Sequence, residues 1–417
     1  MSNNENNEIR DSFTSKTGFI LACIGSAVGM GNIWLFPYRV GQFGGAAFLI
    51  PYIIFIVLLG YTGLMGEFAF GRMTQTGPIG SFKKALETKN KSWGGFLGGF
   101  ITGSAMSAAD SGAYFGELAS PFGSIIWHLL ALILVSIVLI SGISKGIETM
   151  NKIMMPAFYI LFVIVMVRVL MLDGAFEGIK YLVVPKWSSL MEPKTWIYAL
   201  GQAFFSLSLA GSGMIVYGSY LKRDVDIMSS AKNTVIFDTL GAFLAGLVII
   251  PAVFAFNLDP ASGPPLLFIT IPSVFKLMPF GRLFGVIFFI SVLFASITSL
   301  MNLLEVPIEA VQSTFKLNRK LSVFIVVGAA FIFGLFAEDG NNLGVLMDFV
   351  SIYIIPIGAF IAAVMFFWVI GIEKAKCEIE CGTDKKLGKL FEISAKYVFV
   401  FLTIFVFIAG ILLGGIG

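Results

Sequence analysis

Ten apolar segments of spanning length divide the chain, near 17–38, 45–70, 124–142, 153–172, 195–221, 235–256, 282–306, 321–337, 344–372 and 395–416. A helix needs about 20 such residues to cross a hydrocarbon core. The pattern therefore predicts an all-α membrane protein. It divides into a polar cytosolic tail over 1–16, a core over 17–372, a cytoplasmic loop over 373–394 and a last transmembrane helix over 395–417. Between the sixth and seventh segments, Phe256-Asn-Leu-Asp-Pro-Ala-Ser-Gly-Pro-Pro265 leads into an apolar run to Phe280. That run is too interrupted to span, and a helical hairpin capping one face is expected there.

Two segments carry polar and flexible residues at hydrocarbon depth. The first contains Ile24-Gly-Ser-Ala-Val-Gly-Met-Gly-Asn-Ile-Trp-Leu-Phe-Pro37. Each of Gly25, Gly29 and Gly31 costs about 1 kcal/mol relative to Ala in a helix interior, and Asn32 puts a strong polar group among lipid-depth residues. A helix broken here resolves both, because freed backbone facing protein or water offers carbonyls to a cation and N–H groups to an anion. Packing of small residues between helices is the competing reading, and it leaves Asn32 unexplained. The second interruption is Phe204-Phe-Ser-Leu-Ser-Leu-Ala-Gly-Ser-Gly213; a serine-rich helix interface is its alternative. Two broken helices, one early and one past the middle, point to an inverted-repeat transporter with its site at the bilayer midplane.

Composition removes the soluble classes: 57 % of residues are hydrophobic and 13 % charged. The formal charge of +3 matters through its distribution. Lys83, Lys84, Lys89 and Lys91, then Lys145 and Lys152, then Lys222, Arg223 and Lys232, then Arg319 and Lys320 mark four cytoplasmic loops. Two successive cytoplasmic loops demand a further crossing between Lys91 and Phe122. The segment available, Trp93 to Ala109, has five glycines. At 1.5 Å per residue it reaches about 25 Å against a core of about 30 Å. Either it crosses irregularly or one helix that the topology demands is missing.

The chemistry of catalysis is not legible. Cys23, Cys377 and Cys381 have no histidine near them, and His128 sits beside Trp127 at a span's start, where an interface role is the default. No nucleophile with a base, phosphate cradle or nucleic-acid signature is found, so an enzyme is not expected. The tail from Met1 to Lys16 lacks the apolar core of a signal peptide. Intramembrane polar groups instead gather on Glu67, Asp238, Thr298 and Ser299. A carboxylate at that depth needs a partner or an ion. Asp238 with Asn32, Ser206 and backbone carbonyls could form an all-oxygen shell suited to a hard cation such as sodium; a helix-capping role is the alternative for Asp238.

Several long motifs in order carry a resemblance: Gly25-Ser-Ala-Val-Gly-Met-Gly-Asn-Ile-Trp34, Gly44-Gly-Ala-Ala-Phe-Leu-Ile-Pro51, Gly201-Gln-Ala-Phe-Phe-Ser-Leu-Ser208, Pro260-Ala-Ser-Gly263 and Ala295-Ser-Ile-Thr-Ser299. Through them the chain closely resembles the bacterial branch of the neurotransmitter:sodium symporter family, with its leucine-transporter-type inverted-repeat bundle. That resemblance implies sodium-coupled amino-acid symport by alternating access in a bacterial inner membrane, with a cytoplasmic N-terminus and no cofactor beyond the coupling ions. The implied first sodium site comprises Ala27, Asn32, Ser206 and Asp238. The implied second comprises the carbonyls of Gly25, Val28 and Ala295 with the hydroxyls of Thr298 and Ser299. The implied substrate site draws on Ala27, Gly29, Gly31, Phe205, Ser206, Ser208, Gly211 and Leu303, with an anion on the N–H groups near Gly29 and Gly31. Glu67 would brace the unwound backbone, and Asp348 would be the acidic half of the outer gate.

The sequence departs from the family pattern in four places. Asp238 stands where many animal members have asparagine, and Ala242 where they bind chloride, which implies chloride-independent coupling. Leu35 takes the place of the usual outer-gate arginine, with Arg39 one turn along. Gly211 replaces a bulky pocket residue, implying room for a large apolar or aromatic side chain. The family's third helix is absent, leaving about ten spans where eleven are expected; Tyr114 does not match the tyrosine that helix supplies. The alternative reading is a non-transporting deletion variant that keeps partial sodium sites. Oligomeric state is not legible.

Overall fold

The computed structural model describes residues 11–29, 31–87, 125–209, 212–258, 260, 267, 271–337, 345–346 and 349–414. Among the described residues every regular element is a helix. We label the elements α1 (Lys16–Ala27), α2 (Gly31–Gln42), α3 (Ala46–Thr74), α4 (Pro78–Glu87), α5 (Ile125–Ile140), α6 (Ile143–Leu170), α7 (Ala175–Val183) and α8 (Trp187–Met191). Then follow α9 (Pro193–Ser206), α10 (Gly213–Ser219), α11 (Ile227–Ala255), α12 (Ile271–Leu277), α13 (Gly281–Phe315), α14 (Arg319–Ala337), α15 (Val350–Glu380) and α16 (Lys389–Leu413). All ten apolar segments of the sequence appear as helices or broken helices.

Both predicted breaks are present. α1 and α2 meet at 56° across the glycine-rich stretch, and α9 stops at Ser206 before α10 resumes at Gly213. α1 starts on Ser15, whose hydroxyl accepts from the Gly18 N–H at 3.0 Å. It stops because Val28 turns to extended backbone, with φ −76° and ψ 93°. Gly44 and Gly45, at φ +83° and +63°, make the turn into α3. A Cβ on Gly45 would lie 2.0 Å from the Tyr181 carbonyl, so α7 can close on this turn only over glycine.

The two half-helices of each broken span lie in the middle of the bundle. Phe19, Ala22, Cys23 and Ile24 on α1, and Val28 just after it, are fully or almost fully buried. α3, α11 and α13 pack around them. α14 and α16 instead turn Phe324, Phe333, Phe336, Phe401 and Leu412 outward, as a lipid-facing rim requires. Buried ion pairs tie the end of the bundle that carries the basic loops. Arg319 Nη2 donates to Glu305 Oε2 at 2.7 Å, and Glu305 Oε1 also accepts from Tyr220 OH at 2.8 Å. Arg72 Nε donates to Glu378 Oε1 at 2.7 Å while Nη1 donates to the Val225 carbonyl at 2.6 Å.

The structure shifts several boundaries. The expected loop over 373–394 is helical over Ile372–Glu380 and again over Lys389–Ile393; charged residues there face water on helical extensions, which hydropathy alone ends too early. For the same reason α6 starts at Ile143, ten residues before the apolar run, and α11 at Ile227. The cap expected before Phe280 contains one short helix, α12, among the described residues. α7 and α8 form between spans, where amphipathic pattern outweighs mean hydropathy. His128 packs by its imidazole against Gly334 and the Phe331 ring on α14. The stretch 93–109 and Tyr114 lie outside the described residues.

Candidate functional site

A buried polar cluster joins three elements at the first break. Asn32, Ser206 and Asp238 are each 1 % exposed or less. Asn32 Nδ2 donates to Asp238 Oδ1 at 2.8 Å, to Ser206 Oγ at 3.1 Å and to the Asp238 carbonyl at 3.2 Å. Ser206 Oγ in turn donates to Asp238 Oδ2 at 2.7 Å. The capping alternative for Asp238 is set aside, because Asp238 lies mid-helix in α11, whose N-cap is Asp226. The sequence thus places one residue from each half of the break pattern, and a carboxylate from α11, on a single point.

One atom of this cluster is unsatisfied. Asn32 Oδ1 is buried and accepts no hydrogen bond. An unpaired amide oxygen at this depth costs about 1–3 kcal/mol. Turning the amide over would aim that oxygen at the Asp238 carboxylate, an arrangement that needs a cation between the two. The donor set is then two carboxylate oxygens, an amide oxygen, a hydroxyl and nearby backbone carbonyls, all hard ligands.

The end of α1 supplies those carbonyls. Among the described residues no backbone N–H bonds to the carbonyls of Gly25, Ala27 or Val28, as expected for the last carbonyls of a helix. Ser26 O is taken by Ser208 Oγ at 3.2 Å, which ties the two broken helices together. On the α13 side, Thr298 Oγ1 donates within its own helix, to Phe294 O at 2.9 Å or Ala295 O at 3.0 Å. A Cβ on Gly25 would lie 3.1 Å from Thr298 Cβ, and one on Gly29 2.8 Å from Ser299 Oγ. Gly25, Gly29, Thr298 and Ser299 therefore meet, with Ala295 one turn away on the same buried helix and Val28 fully buried beside Gly241. A Cβ at 25 or 29 would force a neighbouring side chain, Asn151 or Ser299, to move.

The substrate-site residues converge less completely. Phe205 lays its ring over Gly31, 2.6 Å from where a Cβ would stand, and Leu303 is buried on α13. Glu67 is buried on α3 at 5 % exposure. Gly211 and Asp348 lie outside the described residues. Arg39 stacks its guanidinium 4.4 Å from the Tyr198 ring centroid and donates to Gln42 Oε1 at 3.0 Å. Ala242 is fully buried on α11 one turn after Asp238.

Two neighbours were missed by the sequence reading. Tyr52, fully buried on α3, points its hydroxyl to Ser206 Oγ at 3.5 Å. Gln202 donates from Nε2 to the Gly31 carbonyl at 3.3 Å and keeps Oε1 buried without a partner. Both are polar residues inside apolar stretches, which is the same signal that exposed Asn32; tyrosine and a single glutamine were too common to stand out.

The chain is similar to known proteins in sequence and in fold. The sequence matches the sodium:neurotransmitter symporter family over residues 10–89 and 115–413. It is 35 % identical over 432 residues to the uncharacterized sodium-dependent transporter YhdH of Bacillus subtilis, covering 94 % of each chain. It is 31 % identical over 457 residues to an uncharacterized sodium-dependent transporter of Methanocaldococcus jannaschii, covering 98 % of this chain and 92 % of that one. The fold is similar to the crystal structure of MhsT in complex with L-phenylalanine, with a TM-score of 0.86 and 31 % identity, covering 96 % of this chain and 100 % of that one.

Proposed function

Given that the chain belongs to the sodium:neurotransmitter symporter family, we propose that it takes up an amino acid with a large apolar or aromatic side chain, driven by sodium and independent of chloride. The observation that carries the reading is the buried Asn32–Ser206–Asp238 cluster with its unsatisfied Asn32 Oδ1. Ala27, Asn32, Ser206 and Asp238 would hold the first sodium. Gly25, Val28, Ala295, Thr298 and Ser299 would hold the second. Asp238 supplies a fixed negative charge next to the first ion, so no chloride is needed to balance it.

The substrate carboxylate would rest on the N–H groups that open α2, where the helix dipole favours an anion. Its side chain would lie along Phe205, Ser208, Gly211 and Leu303; a residue without a side chain at 211 would leave volume for a ring. The bound L-phenylalanine of MhsT is in keeping with that size. Sodium and substrate would shift the population toward closed states to the extent that those states bind them more tightly. Glu67 would brace this backbone and Asp348 would close the outer side. The protein would sit in a bacterial inner membrane with its N-terminus and basic loops in the cytoplasm.

A second reading is favoured by one observation: the family match lapses over 90–114, around the segment 93–109 that is too short and glycine-rich for a regular span. A chain lacking that wall would bind without translocating. Equilibrium binding of radiolabelled L-phenylalanine to purified protein, in sodium against potassium and in chloride against gluconate, tests the site itself. Sodium-dependent, chloride-indifferent binding supports it. Binding that is equal in potassium refutes it.

A further inference from the structure

We propose that Asn151, on α6, is a sodium-binding residue one step beyond the second sodium site, handing the ion between that site and the basic end of the bundle. The inference rests on the second-site reading above. Asn151 is fully buried, and its amide is fixed by a donor bond from Nδ2 to the Ile147 carbonyl at 2.8 Å. That bond settles the orientation: Oδ1 points away from α6 and has no donor.

What Oδ1 points at is α1. A Cβ built on Gly25 would stand 2.0 Å from Asn151 Oδ1 and 3.1 Å from Thr298 Cβ. The amide oxygen is thus aimed at the meeting of two residues of the second site. One turn further along α6, Met155 Sδ lies 3.5 Å from Thr298 Oγ1, so the same face of α6 lines the site. One turn back, Glu148 is fully buried against Gly18, holding Thr14 and Ser15. From the middle of the bundle toward its basic end, Thr298 on α13 is followed by Asn151 and Glu148 on α6, and the Glu148 carboxylate is already held by Lys152 Nζ at 2.7 Å as well as by Thr14 and Ser15.

A buried amide oxygen with no donor is expensive to keep. A cation leaving Thr298 and Gly25 in this direction gives up oxygen ligands before it reaches water, which is costly. An oxygen midway lowers that barrier and adds a ligand while the ion still touches Thr298. The nitrogen bond to Ile147 keeps the oxygen aimed without a change in rotamer.

The test is equilibrium binding of radiolabelled sodium to purified full-length protein, with L-phenylalanine present, for Asn151→Ala, Asn151→Leu, Asn151→Asp and Thr298→Ala. Loss of one neutral ligand weakens sodium binding by roughly fivefold, the size of one hydrogen-bond-scale contact. We expect that loss in Asn151→Ala and Asn151→Leu, recovery in Asn151→Asp, which keeps an oxygen, and unchanged L-phenylalanine affinity at saturating sodium. Sodium binding at the wild-type level in Asn151→Ala, or equal loss in Asn151→Asp and Asn151→Ala, overturns the inference. Thr298→Ala separates it from its premise: if that variant also binds sodium as wild type, the second site itself is wrong; if it alone loses sodium, only the role of Asn151 is.

Discussion

Replacing Asp238 by Asn changes one oxygen for one nitrogen in a fully buried position. Shape and one oxygen ligand are kept, and the charge is removed. Two unit charges about 4 Å apart interact by about 4 kcal/mol at the effective dielectric of a protein site. Since about 1.4 kcal/mol is a factor of ten, the charge alone is worth up to about three decades of sodium affinity. Relief of burying an unpaired carboxylate offsets part of this, so a fall of about a hundredfold is expected. Ser206 and Asn32 both lose their charged acceptor, because each bonds to Asp238 at 2.7 and 2.8 Å. The assay is sodium-titrated binding of L-phenylalanine in chloride and in gluconate. Chloride should partly restore sodium affinity in the Asp238→Asn variant and leave the parent unchanged. Unaltered sodium dependence in Asp238→Asn would refute the placement of the ion beside this carboxylate.

Other substitutions follow from packing and pairing. Gly25→Ala puts a methyl 2.0 Å from Asn151 Oδ1 and should abolish sodium-dependent binding with the protein still folded, as judged by gel filtration. Gly71→Ala drives a methyl to 1.9 Å from the Ile215 carbonyl of α10; overpacking of this kind costs about 1–3 kcal/mol or more and should lower the thermal midpoint. Gly328→Ala, with nothing within 4 Å, should raise that midpoint, since Ala is about 1 kcal/mol the better helix former. Glu305→Gln leaves Arg319 facing a neutral partner at a buried pair and should destabilise by about 3 kcal/mol, measured in the same melts.

The spanning helices were legible because each follows an apolar run of spanning length, and the first break because Gly25, Gly29, Gly31 and Asn32 contradict such a run. Residues on helical extensions outside the hydrocarbon, such as Glu378 and Glu148, were not. Their charges end a hydropathy signal while the backbone hydrogen bonds of α15 and α6 continue. Of the proposed first site, Asn32, Ser206 and Asp238 stood out as polar groups in apolar sequence, and the structure brings all three together. Tyr52 and Gln202 did not, since their importance comes from pointing at Ser206 and Gly31, which only the tertiary fold decides. Asn151 lay just before an apolar run and read as part of a loop.

Uptake into proteoliposomes of the intact chain tests the central proposal most directly. An inward sodium gradient should accumulate radiolabelled L-phenylalanine, the Asp238→Asn variant should fail at the same sodium concentration, and gluconate in place of chloride should change nothing. Sodium-dependent binding with no accumulation, from folded and monodisperse protein, would contradict transport and leave a sodium-dependent binding protein.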